Sequence, residues 1–339
     1  MLLCAAAGGA TRPAQTMRNA TLTSVSGLKV GHHTLSERPT GCTVILAETG
    51  ATAGVDVRGA APATRETDLL NPVNSVQQVH AIVLAGGSAF GLDSAAGVMR
   101  YLEEHKIGFP FGSARVPIVP GAALFDLRVG DPLVRPTAEC GYLAARSAAS
   151  DPAPEGNVGA GAGATIGKAL GMDRAMKAGI GTAAVTMTGG LTVAALVVLN
   201  AFGDVVDPAT GRTVAGVRGA DGRELADART LLRAGLLRFE PGNTTLCVVA
   251  TNAALTKTEA TRVAQMAHDG FARAIAPSHT PVDGDAIFAL ATGERPGAAA
   301  VGVIGALAAE VVADAIVRAA TQADGLPGLP AARDFSTIK

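Results

Sequence analysis

The sequence predicts a layered α/β protein, and three observations carry that expectation. Apolar runs of strand length alternate loosely with amphipathic segments of helix length, and no repeat at a fixed period is visible. The composition is 48% hydrophobic with 42 Gly, 3% aromatic residues and no Trp, which calls for layers packed closely through small and branched aliphatics. At 339 residues the chain is long enough to bury a substantial core, as one large domain or two ordinary ones.

In chain order, SGLKVGHHT (26–34), TGCTVILAE (40–48) and TAGVDVRG (52–59) read as strands. AIVLAGGSAFGLDSAAGVMRYLEEHKIG (81–108) reads as a strand, a turn at Gly86-Gly87 and a helix. Leu92, Ala95, Ala96, Met99 and Leu102 share one face of that helix, with Ser88 as its N-cap. A second helix is predicted over TAECGYLAARSAA (137–149), followed by the polar loop SDPAPEGN (150–157) and a Gly/Ala tract. The charge-free run 178–203 is long enough to cross a membrane, but Thr188-Gly189-Gly190 divides it into two Val- and Thr-rich halves. That division predicts a hairpin of buried strands. RGADGRELADARTLLRAG (218–235) is the most charged stretch and reads as an exposed linker.

Beyond it, TTLCVVAT (244–251) and GDAIFALAT (284–292) read as strands. Between them TKTEATRVAQMAHDGFARAI (256–275) reads as a helix opened by a capping box, Thr256 with Glu259 three residues on. The final helix, 298–324, carries Glu310 and Asp314, so it reads as buried or interfacial rather than membrane-spanning.

A net charge of −1 supplies no basic field for nucleic acid or an anionic membrane. Cys4, Cys42, Cys140 and Cys247 lie far apart with no CxxC pair, which reads as reduced thiols of a cytoplasmic protein. Residues 1–21 have no basic residue ahead of their apolar patch and read as a flexible leader, with Met17 a rival start. The six histidines show no paired-ligand spacing, so neither a metal nor a cofactor is expected.

Several motifs fail on inspection. NVGAGAGATIGKAL (157–170) lacks the first P-loop Gly, since Ala162 stands there, and Ala169 replaces the hydroxyl that would bind Mg²⁺. As a dinucleotide fingerprint, Gly159-x-Gly161-x-x-Ala164 has no acidic residue at the ribose distance. GGSAF (86–90) resembles a nucleophile elbow, but Phe90 stands at the last Gly position. Asp283 and Asp285 are either a carboxylate pair on one face of an extended segment or an exposed Asp-Gly turn.

FEPGNTTLCVVATN (239–252) also has two readings. As structure it is a Pro-Gly-Asn turn entering a strand. As chemistry, breaking Asn243–Thr244 would give Thr244 a free α-amine beside its own hydroxyl. An α-amine with a pKa of roughly 7.7–8.0 serves as general base near neutrality, so one residue would hold nucleophile and base.

The segments VLAGGSAFGLDSAAGVMRYLEE, GAALFDL, GATIGK, VVLNAFGDVVD, GNTTLCVVATNAALTKTEATRVAQMAHDGFARAI and HTPVDGDAIFAL resemble, in this order, the DmpA/NylC family of N-terminal-nucleophile hydrolases. GNTT and DGD resemble its nylon-oligomer branch rather than members with a serine nucleophile. The resemblance implies an αββα-type sandwich spanning 22–339 as one domain. It also implies self-cleavage at Asn243–Thr244 into segments 22–243 and 244–339, and a homo-oligomer, a tetramer, of the processed units. Thr244 matches the nucleophile, Lys168 the lysine beside it, and Asn200 an asparagine whose amide donates toward the developing oxyanion. Asp283 and Asp285 match the acidic pair near the nucleophile. The implied activity is hydrolysis of small peptide, β- or D-aminoacyl or 6-aminohexanoate oligoamide substrates. The alternatives are acyl transfer of the ornithine acetyltransferase kind and a non-catalytic relative. One departure is Phe125, where the nylon-oligomer enzymes carry tyrosine.

Overall fold

The structure is a computed structural model that describes residues 20–336 other than 223, 296, 298 and 299. The leader expected over 1–21 therefore lies, up to residue 19, outside the described residues.

The strands that position the site are β1 (Lys29–Thr34), β2 (Gly41–Val57), β3 (Val79–Ala85), β4 (Gly121–Ala123), β5 (Ile180–Thr186), β6 (Thr192–Asn200), β7 (Thr244–Ala253) and β8 (Ala286–Arg295). The helices against them are α1 (Ser94–Glu104), α2 (Ala138–Arg146), α3 (Lys257–Ala274) and α4 (Val301–Thr321).

The two strands expected at 40–48 and 52–59 are one, and this 17-residue β2 organises the fold. Its first half pairs antiparallel with β1 and β3, its second half with β8. The register with β3 shifts between Leu46 and Ala51, where Gly50 takes a φ of +87°. The chain thereby passes from one half of the sheet to the other. Connected through β2, the strands run β5-β6-β7-β8-β2-β3-β4, with Thr64–Arg65 on the outer edge.

The two halves stack face to face. Ile45, Ile82 and Leu84 from one half and Leu196, Val198, Leu246, Val248 and Phe288 from the other share one buried core. Val44, Leu46 and Val83 point the opposite way, onto Val98, Leu102 and Ala144 of α1 and α2. Val197, Cys247, Val249 and Ile287 meet Val263, Phe271, Ile304, Val312 and Ile316 of α3 and α4. Successive β7 residues alternate between these two cores, so a strand buried on both faces reads as a nearly unbroken apolar run. The layers are helix, sheet, sheet, helix: the expected αββα sandwich.

The hairpin expected in 178–203 is present as β5 and β6, paired antiparallel from Ile180↔Val198 to Thr186↔Thr192. Among the described residues no helix is long and apolar enough to cross a membrane. The capping box is formed: Thr256 Oγ1 accepts from Glu259 N, and the Glu259 carboxylate accepts from Thr256 N at 2.8 Å. Glycines set the helix spacing in the outer layer. A methyl on Gly97 would overlap the Ala138 carbonyl, and one on Gly141 the Ser94 carbonyl.

Four further expectations need correction. Ser88 is not the helix cap: it sits at φ +56° as the first residue of a short 3-10 turn, Ser88–Asp93, and Asp93 takes the N-cap position of α1. Ala96 is exposed, because α1 turns Gly97 and Val98 inward instead. Cys42 and Cys140 are paired as a disulfide, since β2 and α2 bring together residues 98 apart in sequence; Cys247 is free and buried. The stretch 218–235 is pinned as well as exposed. It holds a short helix, Ala228–Arg233, and the buried Asp204 carboxylate accepts from Ala228 N and Val217 N.

Candidate active site

Topology gathers the site at one end of the sheet. β7 and β8 run parallel, so their first residues, Thr244 and Ala286, lie at the same edge. β6 runs antiparallel to β7 and ends there, placing Asn200 directly opposite Thr244. The Asp-Gly-Asp segment that leads into β8 lies alongside the residues that lead into β7, with Asn243 bridged to Asp283.

All five residues expected at the site are buried: Thr244, Lys168, Asn200, Asp283 and Asp285 are each at most 4% exposed. The Thr244 hydroxyl donates at 2.5 Å to the carbonyl oxygen of Asn243, which belongs to the bond expected to be cut. Gly284 N–H donates to the same oxygen at 2.9 Å. Gly242, before Asn243, takes a φ of +108° with the Phe125 ring against it. Glycine tolerates that conformation where other residues are strained. The preceding loop is fastened by Arg128, which donates to the Glu240 carboxylate at 2.7 Å and the Pro241 carbonyl at 3.1 Å.

Lys168 Nζ donates to the Asn200 carbonyl at 3.0 Å, to Asn200 Oδ1 at 2.9 Å and toward the Gly242 carbonyl at 3.4 Å. Thr165 N also donates to Asn200 Oδ1, and Asn200 Nδ2 donates to the Phe125 carbonyl at 3.0 Å. The amide orientation is thus fixed from both ends. One Nδ2 hydrogen is engaged, so a contact to an oxyanion falls to the other.

The two aspartates serve different backbone donors. Asp285 accepts from Thr245 N at 2.7 Å and from His279 Nδ1 at 2.8 Å. Asp283 accepts from Phe202 N at 3.3 Å and from Thr280 N and Oγ1 at 3.0 and 2.5 Å. Burial excludes the exposed-turn reading of this segment.

Electrostatics follow burial. Burial lowers Lys168 from 10.5 to about 7, with the Asp283 carboxylate pulling the other way. Burial and the neighbouring Asp285 charge raise Asp283 to about 6, against hydrogen bonds from Thr280 and Phe202. An amine with a pKa near 7 is present in both protonation states at neutrality, the condition a proton acceptor needs there.

Gly284, His279 and Thr165 are not among the site residues expected from the sequence. His279, beside the Asp-Gly-Asp segment in HTPVDGD, was the nearest signal; backbone donors leave none. Among the described residues no cluster of three or more His, Cys, Asp or Glu is arranged to hold a metal. A cavity of about 580 Å³ lined by Thr49, Thr52, Gln77, His80 and Phe109 includes none of the site residues.

The chain is 44% identical over 342 residues to an uncharacterised aminopeptidase of Mycobacterium tuberculosis, covering 93% of this chain and 97% of that protein. It is 33% identical over 312 residues to the 6-aminohexanoate-oligomer endohydrolase of Paenarthrobacter ureafaciens, covering 86% and 84%. The L-aminopeptidase D-Ala-esterase/amidase of Ochrobactrum anthropi, described as a variant of the N-terminal-nucleophile hydrolase fold, superposes with a TM-score of 0.71. That match covers 97% of this chain and 94% of that one at 21% identity, and so speaks to the fold. A Burkholderia β-aminopeptidase gives a TM-score of 0.69 at 24% identity, covering 92% and 89%. The family model for peptidase family S58 matches residues 20–332, and the chain belongs to that family.

Proposed function

We propose that this hydrolase is a self-processing amidohydrolase whose nucleophile is Thr244, freed by cleavage of Asn243–Thr244. The observation that carries the reading is the Thr244 hydroxyl held 2.5 Å from the carbonyl oxygen of the residue before it, at the head of a buried strand. Attack by that hydroxyl turns the amide into an ester, and water releases the ester, leaving Thr244 with a free α-amine. The amine, with a pKa of roughly 7.7–8.0, then takes the proton of its own hydroxyl as the hydroxyl attacks a substrate amide. Lys168 exchanges protons near neutrality and holds Asn200, whose second Nδ2 hydrogen is the one left to donate to the developing oxyanion. Asp283 and Asp285 fix the backbone on either side.

The substrates are amides of peptides or oligoamides. The names of the relatives divide between aminopeptidases and 6-aminohexanoate-oligomer endohydrolases, and an acyl-enzyme on Thr244 accommodates either acyl group. The test is a panel of β-alanyl, D-alanyl and 6-aminohexanoyl amides incubated with processed protein, with Thr244→Ala as the blank. The expected result is release of amine from at least one amide, at a rate unchanged by an added amine acceptor. Turnover by the Thr244→Ala blank equal to the processed protein would contradict the reading.

A further inference from the structure

The peptide unit between Asp283 and Gly284 touches the bond expected to be cut. Its N–H donates to the Asn243 carbonyl oxygen at 2.9 Å, while its own carbonyl accepts from Ala61 N at 2.9 Å. A donor on the far side of a peptide unit polarises it and strengthens the N–H as a donor. The segment is held rigidly, because Arg58 N and Gly59 N both donate to the Asp285 carbonyl at 3.0 and 3.1 Å. Glycine is required at 284 by space. A methyl there would lie 2.5 Å from the Ala61 carbonyl oxygen and 2.8 Å from Thr244 Oγ1. The N–H and the nucleophilic hydroxyl therefore approach the same carbonyl only when residue 284 has no side chain.

We infer that the Gly284 N–H is the oxyanion donor of the self-cleavage step, strengthened as a donor by the Ala61 N–H through the Asp283–Gly284 peptide. The inference rests on the self-cleavage reading above. In the step, a bond forms between Thr244 Oγ1 and the Asn243 carbonyl carbon, and the carbonyl π electrons move onto the oxygen that Gly284 holds. As the oxyanion collapses, the carbon–nitrogen bond breaks and the hydroxyl proton ends on the Thr244 nitrogen. The product ester then takes up water to give an Asn243 carboxylate and the Thr244 hydroxyl. The donor is already within hydrogen-bond distance in the ground state, so its site needs no reorganisation as charge develops.

The test replaces Gly284 by glycolic acid, an amide-to-ester exchange that removes this N–H and adds no side chain. Processing is followed from the freshly refolded precursor and counted per folded molecule by circular dichroism. The expected result is cutting slowed by about 10²–10³-fold, the usual effect of losing one oxyanion donor. Replacing Ala61 by lactic acid, which leaves Gly284 intact, is the second variant. It is expected to slow cutting by a smaller factor, about 3–10-fold, through loss of the polarising donor. Normal cutting by the glycolate protein, with Thr244→Ala uncut, overturns the oxyanion assignment alone. Cutting of Thr244→Ala at the same bond overturns the self-cleavage reading instead.

Discussion

Lys168 Nζ holds both acceptor groups of Asn200, the backbone carbonyl at 3.0 Å and the side-chain oxygen at 2.9 Å. Asn200 in turn sits opposite Thr244 across the β6–β7 pair. One buried amine therefore orients the residue opposite Thr244 and adds a titrating group to the same site. Burial brings that amine to a pKa of about 7, so its neutral fraction grows through neutrality. The rate of self-cleavage is expected to rise between pH 6 and 8 with a midpoint near 7. Lys168→Met removes the amine while keeping an unbranched chain. It is expected to slow cutting by about 10²-fold or more and to abolish the pH dependence in that range, measured by gel densitometry. A slowed variant that keeps the midpoint would show Lys168 to be structural only.

Two buried lysines make stability depend on pH. Lys168 and Lys177 are both lowered from 10.5 to about 7 by burial. Between those values the unfolded chain binds the protons that the folded chain has released, so stability rises with pH across that window and the cost is fully present below it. At lower pH other groups offset one another. Asp204 and Asp283, raised to about 6, make stability fall as pH rises toward 6, while His32 and His268, lowered to about 4, make it rise. In the uncut Thr244→Ala protein the urea midpoint is expected to climb from pH 7 to 9.5. The slope is at most about 1.4 kcal/mol per pH unit for each lysine. Adding Lys177→Met is expected to halve that slope; an unchanged slope would show Lys177 to be charged when folded.

Phe125 packs its ring on Gly242, next to the Asn243–Thr244 bond, and lends its carbonyl to Asn200. Phe125→Tyr adds a hydroxyl to that ring without disturbing the backbone contact. If the hydroxyl reaches the oxyanion, kcat/KM on 6-aminohexanoyl amides is expected to rise by up to about 10²-fold. Self-cleavage is expected to change by less than about threefold, because the donor proposed for its oxyanion is the Gly284 N–H. Equal changes in both rates would place the ring hydroxyl in a step the two reactions share.

The outer layer depends on close approach of α1 and α2. Gly97→Ala puts a methyl into the Ala138 carbonyl, so the helices must separate. The expected cost is about 1–3 kcal/mol, seen as a lower urea midpoint, with processing at low denaturant retained. A midpoint equal to the parent would mean that the two helices have room between them.

Much of this was written locally. The capping box of α3 and the β5–β6 hairpin follow from residues within a few positions of one another, where propensity and turn chemistry act. What escaped was decided at long range. The strands expected at 40–48 and 52–59 merge because β2 bends at Gly50 without ending, and both halves find partners far along the chain. Cys42 and Cys140 meet only once β2 and α2 are stacked. From their local sequence alone Asp283 and Asp285 read more readily as an exposed turn, and burial between the loop at 58–61 and the head of β7 decides otherwise. The Gly284 N–H was illegible for a simpler reason: every residue but proline carries one, and only its target distinguishes it.

Whether the Thr244 hydroxyl breaks Asn243–Thr244 is read from the intact mass of freshly purified protein. With the 33.8 kDa chain divided in proportion to length, two pieces of about 24 and about 10 kDa are expected, the smaller beginning at Thr244, and one undivided chain from Thr244→Ala. A single full-length mass from protein that hydrolyses amides would contradict it, as would the same two pieces from Thr244→Ala.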